Sequence, residues 1–151
     1  MNTSITIKEV IQIRADQKSV WAFTQDFNNR QKWDSSILEL EILQTAPYLL
    51  ILIKTQGGVR TKLKYKLWRK PSKTSLEMID TKSLLIKGGG GSWTYSTIDS
   101  MTEWTQTNTL VFKNIFLFLF FGWIVKLKLQ RSTQNSMLKA KQILEQSHID
   151  F

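Results

Sequence analysis

The sequence predicts an α+β fold in which a curved, seven-stranded antiparallel sheet buries one face against a long C-terminal helix, with two short helices after the first strand. Three observations carry this prediction. Ile5, Ile7, Ile11 and Ile13 keep the two-residue period of a half-buried strand. From Ser36 to about Phe112 the chain reads as successive strands separated by turn residues. From about Ile115 to Gln146 there is no proline and one glycine, and apolar or small residues recur every three or four positions.

Taken in order, the first strand covers the isoleucine run. Asp16 then precedes Ser19-Val20-Trp21-Ala22-Phe23 and can cap the free amides of a short helix. A second short helix is expected over Asn28 to Trp33. Leu38, Leu40 and Ile42 alternate with Glu39 and Glu41, Pro47 interrupts, Tyr48 to Thr55 is nearly all apolar, and Gly57-Gly58 turns the chain. The clearest strand sets Leu63, Tyr65 and Leu67 on one face and Lys62, Lys64 and Lys66 on the other. Pro71-Ser72 leads into Thr74 to Asp80. Four glycines, Gly88 to Gly91, read as a flexible hairpin before Ser92 to Ile98, where Trp93, Tyr95 and Thr97 share a face. After an Asp99-Ser100 turn, Thr102 to Phe112 forms the last strand and carries Trp104. The helix that follows presents a stripe of Phe118, Gly122, Val125, Leu129, Thr133, Ser136 or Met137, Ala140 and Leu144. At about 1.5 Å per residue it would run roughly 45 Å, longer than the ~38 Å diameter expected for a compact chain of this size. It must break near Gly122 or project its first turns.

At 151 residues the sequence fits a single domain spanning 1–151 and can bury a sizeable core without covalent staples. With no cysteine and one histidine, His148, a thiol nucleophile, a disulfide framework and an iron–sulfur cluster are excluded, and neither metal nor cofactor is expected. His148 falls in the terminal tail, where a solvated side chain is expected. The net charge of +9 admits nucleic acid, an anionic membrane or a plain basic protein. Lys and Arg are dispersed along the chain, which argues against nucleic acid. The N-terminal residues lack the apolar core of a secretory signal, and the most apolar stretch, Ile115 to Val125, is far shorter than the ~20 residues that span a bilayer. A cytoplasmic location is the expectation.

The run Ile11-Gln12-Ile13-Arg14-Ala15-Asp16, then Val20-Trp21-Ala22-Phe23, Asp26, Asn29 and Trp33, resembles the opening of the START/Bet v 1-like (helix-grip, SRPBCC) superfamily. The likeness is strongest to its polyketide cyclase/dehydrase and lipid-transport branch. With the strands and helix that follow, it covers nearly the whole chain. It implies a helix-grip fold, a sheet wrapped around the C-terminal helix with an elongated apolar cavity between them. The stripe agrees, because beyond Leu129 the residues Thr133, Ser136 and Ala140 are small and leave volume where a sealing helix would carry Leu or Ile.

The resemblance implies a hydrophobic small-molecule ligand, a lipid or a polyketide-like compound. Its candidate contacts are Trp33, Tyr65, Trp93 and Tyr95 with the helix positions Phe118, Gly122, Val125, Leu129, Thr133, Ser136, Met137 and Ala140. Plain core packing competes for each aromatic, since facing in a strand is ambiguous by one residue. Asp26, Asn29 and Arg30 fit either a polar latch at the mouth or helix-end hydrogen bonding. The glycines do not form a phosphate loop, because no Gly-Lys-Ser/Thr follows. For acid–base work the candidates are Asp34, Glu77, Asp80, Glu103 and the two tyrosines. An aromatase/cyclase or dehydratase without metal would use Tyr65 or Tyr95 as proton donor and Glu103 as base. No charged dyad stands out, so a non-catalytic carrier leads and the enzyme is the alternative. Phe116 to Val125 is apolar all round, and a helix on one sheet buries only one face. The other face needs a lid made by the chain's own short helices and glycine hairpin, a second copy in a homodimer, or a peripheral membrane contact through 115–131, where Lys113, Lys126, Lys128 and Arg131 would suit anionic headgroups.

Overall fold

A computed structural model describes residues 2–149, without the side chains at 148 and 149, so the expectation for His148 lies outside the described residues. The elements are β1 (Ser4–Ile13), α1 (Gln17–Gln25), α2 (Arg30–Trp33), β2 (Ile37–Gln44), β3 (Leu50–Thr55), β4 (Arg60–Arg69), β5 (Lys73–Thr81), β6 (Ile86–Ile98), β7 (Met101–Phe112) and α3 (Ile115–Ile149). The strands form one seven-stranded antiparallel sheet in the order β1-β7-β6-β5-β4-β3-β2. Consecutive strands β1 and β2 therefore lie on opposite edges, and α1 and α2 carry the chain between them. Asp16 caps α1 as the sequence predicts, accepting from Ser19 N at 3.0 Å and Ser19 Oγ at 2.6 Å. Those hydrogen bonds hold its carboxyl below the ordinary aspartate range.

Two apolar clusters occupy the ends of the space between sheet and α3. One gathers Trp21, Trp33, Trp93, Tyr95 and Trp104 against Met137, Ala140 and Leu144 of the helix. Trp33 and Trp93 each stand edge-on to Trp104 at ring distances of 5.4 Å, and the small Ala140 gives the helix room to approach these rings. The other cluster holds Ile5, Ile86 and Phe112 against Leu117, Phe118, Val125 and Leu129. Between them the helix presents Ser132, Thr133 and Ser136.

Two local expectations are corrected, and a third, open between two outcomes, is decided. The four glycines are not a hairpin: Gly88 to Gly91 lie inside β6 and pair with Val111 to Asn108 of β7, while Gly90 and Gly91 also pair with β5. A Cβ at Gly90 would stand 2.8 Å from the Leu76 carbonyl oxygen and one at Gly91 2.6 Å from Asn108 Oδ1. The strands approach too closely there for a side chain, and that need looks like turn chemistry in a sequence. In β4 a register shift between Tyr65 and Leu67 pairs Trp68 with Thr74, so Trp68 and not Leu67 joins Tyr65 on the inner face, with ring centroids 5.3 Å apart. Finally, α3 continues through Gly122 for 35 residues, about 52 Å at ~1.5 Å per residue. Its first turns stay uncovered, and no helix among the described residues is long and apolar enough to cross a membrane.

Candidate functional site

The stretch of α3 that carries Thr133 and Ser136 roofs a cavity of about 360 Å³. Its floor is the concave face of the sheet, with Leu63, Leu76, Met78, Gly90 and Leu110 from β4 to β7, and Ile37 and Ile53 close the β2 edge. Thr55 and Val59 beside the β3–β4 turn and Thr81 and Ser83 at the end of β5 also line it. The volume falls in the lower part of the range for small-molecule sites, and the lining is mainly apolar, as such sites are.

Five of the twelve positions predicted to touch a ligand line this cavity: Trp33, Trp93, Leu129, Thr133 and Ser136. The other seven lie outside it. Phe118 and Val125 pack into the cluster at the start of the helix, and Gly122 sits beside the Phe118 ring. Met137 and Ala140 are filled against the tryptophans. Tyr65 stands edge-on to Phe27 and Trp68, a layer beyond the cavity. Tyr95 stacks on Trp104 and turns its hydroxyl to Thr24 and Gln25, each at 2.8 Å. Burial pushes both phenols above their ordinary pKa, and the Arg30 guanidinium partly opposes the shift.

The acid–base candidates are mostly placed elsewhere. Glu103 pairs in register with Gln12 and Ser96 on the outer face, while its neighbours Thr102 and Trp104 point inward, so it lies away from this cavity. Glu77 and Asp80 also face outward, beside Lys66 at 3.5 Å and Lys82 at 3.7 Å. Asp34 alone reaches the cavity, and it is committed. Arg30 Nε donates to Asp34 Oδ2 at 2.8 Å, Ser36 donates to Oδ1 through N at 3.2 Å and Oγ at 2.5 Å, and Ser136 Oγ lies 3.4 Å away. The Arg30 guanidinium also lies 4.9 Å and 4.5 Å from the ring centroids of Trp33 and Trp93. Asp26 and Asn29, the other members of the suggested latch, bond to each other at the helix end instead.

Sequence reasoning missed Gln106 and Asn108, which line the cavity from β7. They continue the alternation of Thr102 and Trp104 and were legible as one face of that strand. Among the described residues no group of three or more His, Asp or Glu side chains gathers as a metal site would need.

A model of the family described as polyketide cyclase/dehydrase and lipid transport matches residues 4–135. No curated protein matches the chain. Among solved structures, the Zhui aromatase/cyclase from a Streptomyces species superposes with a TM-score of 0.77 at 12% identity, covering 94% of each chain. A START superfamily protein from Mycobacterium smegmatis gives 0.72 at 14% identity, over 93% of this chain and 97% of that one. The di-domain ARO/CYC StfQ from the steffimycin biosynthetic pathway gives 0.80 at 11% identity, and there this chain, 96% covered, spans 52% of the longer protein. At such identities the superpositions show a shared fold, the helix-grip arrangement of a sheet wrapped around a long C-terminal helix.

Proposed function

Since the chain belongs to the polyketide cyclase/dehydrase and lipid transport family, we propose that it binds and carries a hydrophobic small molecule, a lipid or polyketide-like compound, in the cavity beneath α3. One observation carries this reading. The cavity is mainly apolar, and its only charged lining groups among the described residues, Arg30 and Asp34, neutralise each other. A ligand there loses water from apolar surface and meets no unpaired charge.

The test is displacement of a fluorescent fatty-acid analogue from purified protein, with native mass spectrometry of what co-purifies from cells. Thr133→Phe fills the cavity from its roof and is expected to weaken probe binding about tenfold or more at unchanged secondary structure. Equal binding by the folded variant and the parent would reject the cavity as the site.

The second reading is an aromatase/cyclase-type enzyme, favoured by the shared fold with Zhui and StfQ. Placement of Tyr65, Tyr95 and Glu103 outside the cavity counts against the roles the sequence suggested. In this reading Arg30, at the cavity wall, would orient substrate carbonyl oxygens and the cavity shape would fold the chain. Turnover of a polyketide-like substrate that is lost in Arg30→Met while ligand binding survives would favour it.

A further inference from the structure

The uncovered face of α3 is organised in a way the sequence period concealed, because this helix is apolar on two opposite sides. Phe118, Val125 and Leu129 face the sheet. Phe116, Leu119, Phe120 and Trp123 point away from it and are 69%, 63%, 71% and 65% exposed, with Leu127 continuing the line. Their spacing of three, four, seven and eleven positions from Phe116 places them on one stripe at about 100° per residue. Neither α1, α2 nor the glycine strand covers it, so the lid suggested by the sequence is not formed.

Charge decides what does cover it. On the same helical geometry Lys126 and Lys128 fall one to each side of the stripe, with Lys113 just before the helix and Arg131 one turn beyond. All four are exposed, and none has an ion-pair partner among the described residues. No Asp or Glu occurs between Glu103 and Glu145, so the helix carries no acidic residue over its first 30 positions. A second copy would bring these cations against like charges. An anionic bilayer surface would take the aromatics at the headgroup boundary and let the lysines reach the phosphates.

We propose that the N-terminal half of α3 is an interfacial docking surface for an anionic lipid membrane. Leu84, 86% exposed, adds to it: its neighbour Leu85 accepts from Lys113 N at 2.9 Å, which ties the β5–β6 connection to the start of the helix. Ser83, on the other side of Leu84, lines the cavity. Docking through this surface sets the Ser83 side of the cavity nearest the membrane. It does not depend on what the cavity holds.

The test is co-pelleting of the full chain with phosphatidylcholine vesicles, with and without about 30 mol% phosphatidylserine. Binding is expected only with the anionic lipid, falling at least about tenfold in Phe120→Ser/Trp123→Ser and in Lys126→Glu/Lys128→Glu, and falling with added salt. The substituted side chains point to solvent, so the urea midpoint is expected to stay within error. Sedimentation velocity is expected to show a monomer. A parent chain that does not pellet, or pelleting that both variants retain, would overturn the proposal. So would a dimer that Phe120→Ser/Trp123→Ser dissociates, which would assign the face to a second copy.

Discussion

Tyr95 and Thr24 meet through their hydroxyl oxygens at 2.8 Å, and the surrounding bonds fix the direction of that contact. Thr24 Oγ1 donates its one hydrogen to the Val20 carbonyl at 2.8 Å, so it can only accept from Tyr95. Gln25 Nε2 donates to the phenol from the other side at 2.8 Å. The phenol hydrogen is thus spent inside the fold, which explains why a residue of the right type for proton donation is structural here.

Tyr95→Phe is expected to cost about 1–2 kcal/mol in urea unfolding at neutral pH, since it removes the phenol that buried Thr24 and Gln25 both bond, leaving Gln25 only its longer bond to Thr74 Oγ1 at 3.4 Å. It is expected to leave probe binding unchanged, because the ring lies outside the cavity. Loss of binding at retained stability would return Tyr95 to the site.

The same residue sets an alkaline dependence. Burial raises the Tyr95 and Tyr65 phenols above the ordinary value of 10.0. The folded state then holds protons that the unfolded state releases above about pH 10, so stability is full below that pH and falls as pH rises further. Each such phenol contributes a slope of up to ~1.4 kcal/mol per pH unit. Removing Tyr95 as Phe is expected to flatten the loss of urea stability between about pH 10 and 11.5 by about one proton. Identical slopes in parent and variant would refute the assignment.

The sequence made the element order and the helix-roofed sheet legible because both rest on periodicity over many residues. The capped start of α1 was equally plain, as one Asp and one Ser supply it locally. What stayed hidden depends on contacts between distant strands. Gly90 serves the backbone of Leu76, and the turn of Trp68 toward Tyr65 comes from a one-residue bulge that no pattern in β4 announces. In the site, Thr133 and Ser136 were visible as small residues on a stripe. Ala140 was not separable from them, because its cluster across the space holds tryptophans from four other elements.

Gly90→Ala is expected to destabilise by about 2–3 kcal/mol, because the added methyl meets backbone, which cannot swing aside. Gly88→Ala, with nothing within 4 Å, is expected to stay within about 0.5 kcal/mol. Chemical denaturation of the pair checks both. Equal effects would mean that the close strand approach is not what demands glycine.

Arg30 and Asp34 form an ion pair with side-chain exposures of 12% and 9%. Arg30→Met leaves the carboxylate without its partner and is expected to cost about 3 kcal/mol. The double variant Arg30→Met/Asp34→Asn is expected to lose less than the sum of the single variants by about 1.5 kcal/mol or more, because no lone charge remains. Strict additivity in a double-mutant cycle would show the pair to be uncoupled.

Gln106 would give a ligand in this cavity a preferred chemistry. It lies on β7 opposite Trp93, nearly fully buried, and lines the cavity. Its Oε1 accepts from Asn108 Nδ2 at 3.3 Å, while its Nε2 makes no hydrogen bond among the described residues. A buried amide donor left unpaired costs about 1–3 kcal/mol, which a ligand oxygen placed against it recovers. Probes with a carbonyl or hydroxyl are therefore expected to bind about tenfold more tightly than hydrocarbons of equal size, and Gln106→Leu to erase that difference while improving hydrocarbon binding. Matched fatty-alcohol and alkane displacement series on parent and variant measure it. An unchanged preference in Gln106→Leu would place the polar recognition elsewhere in the cavity, with Asn108 and the Arg30–Asp34 pair next in reach.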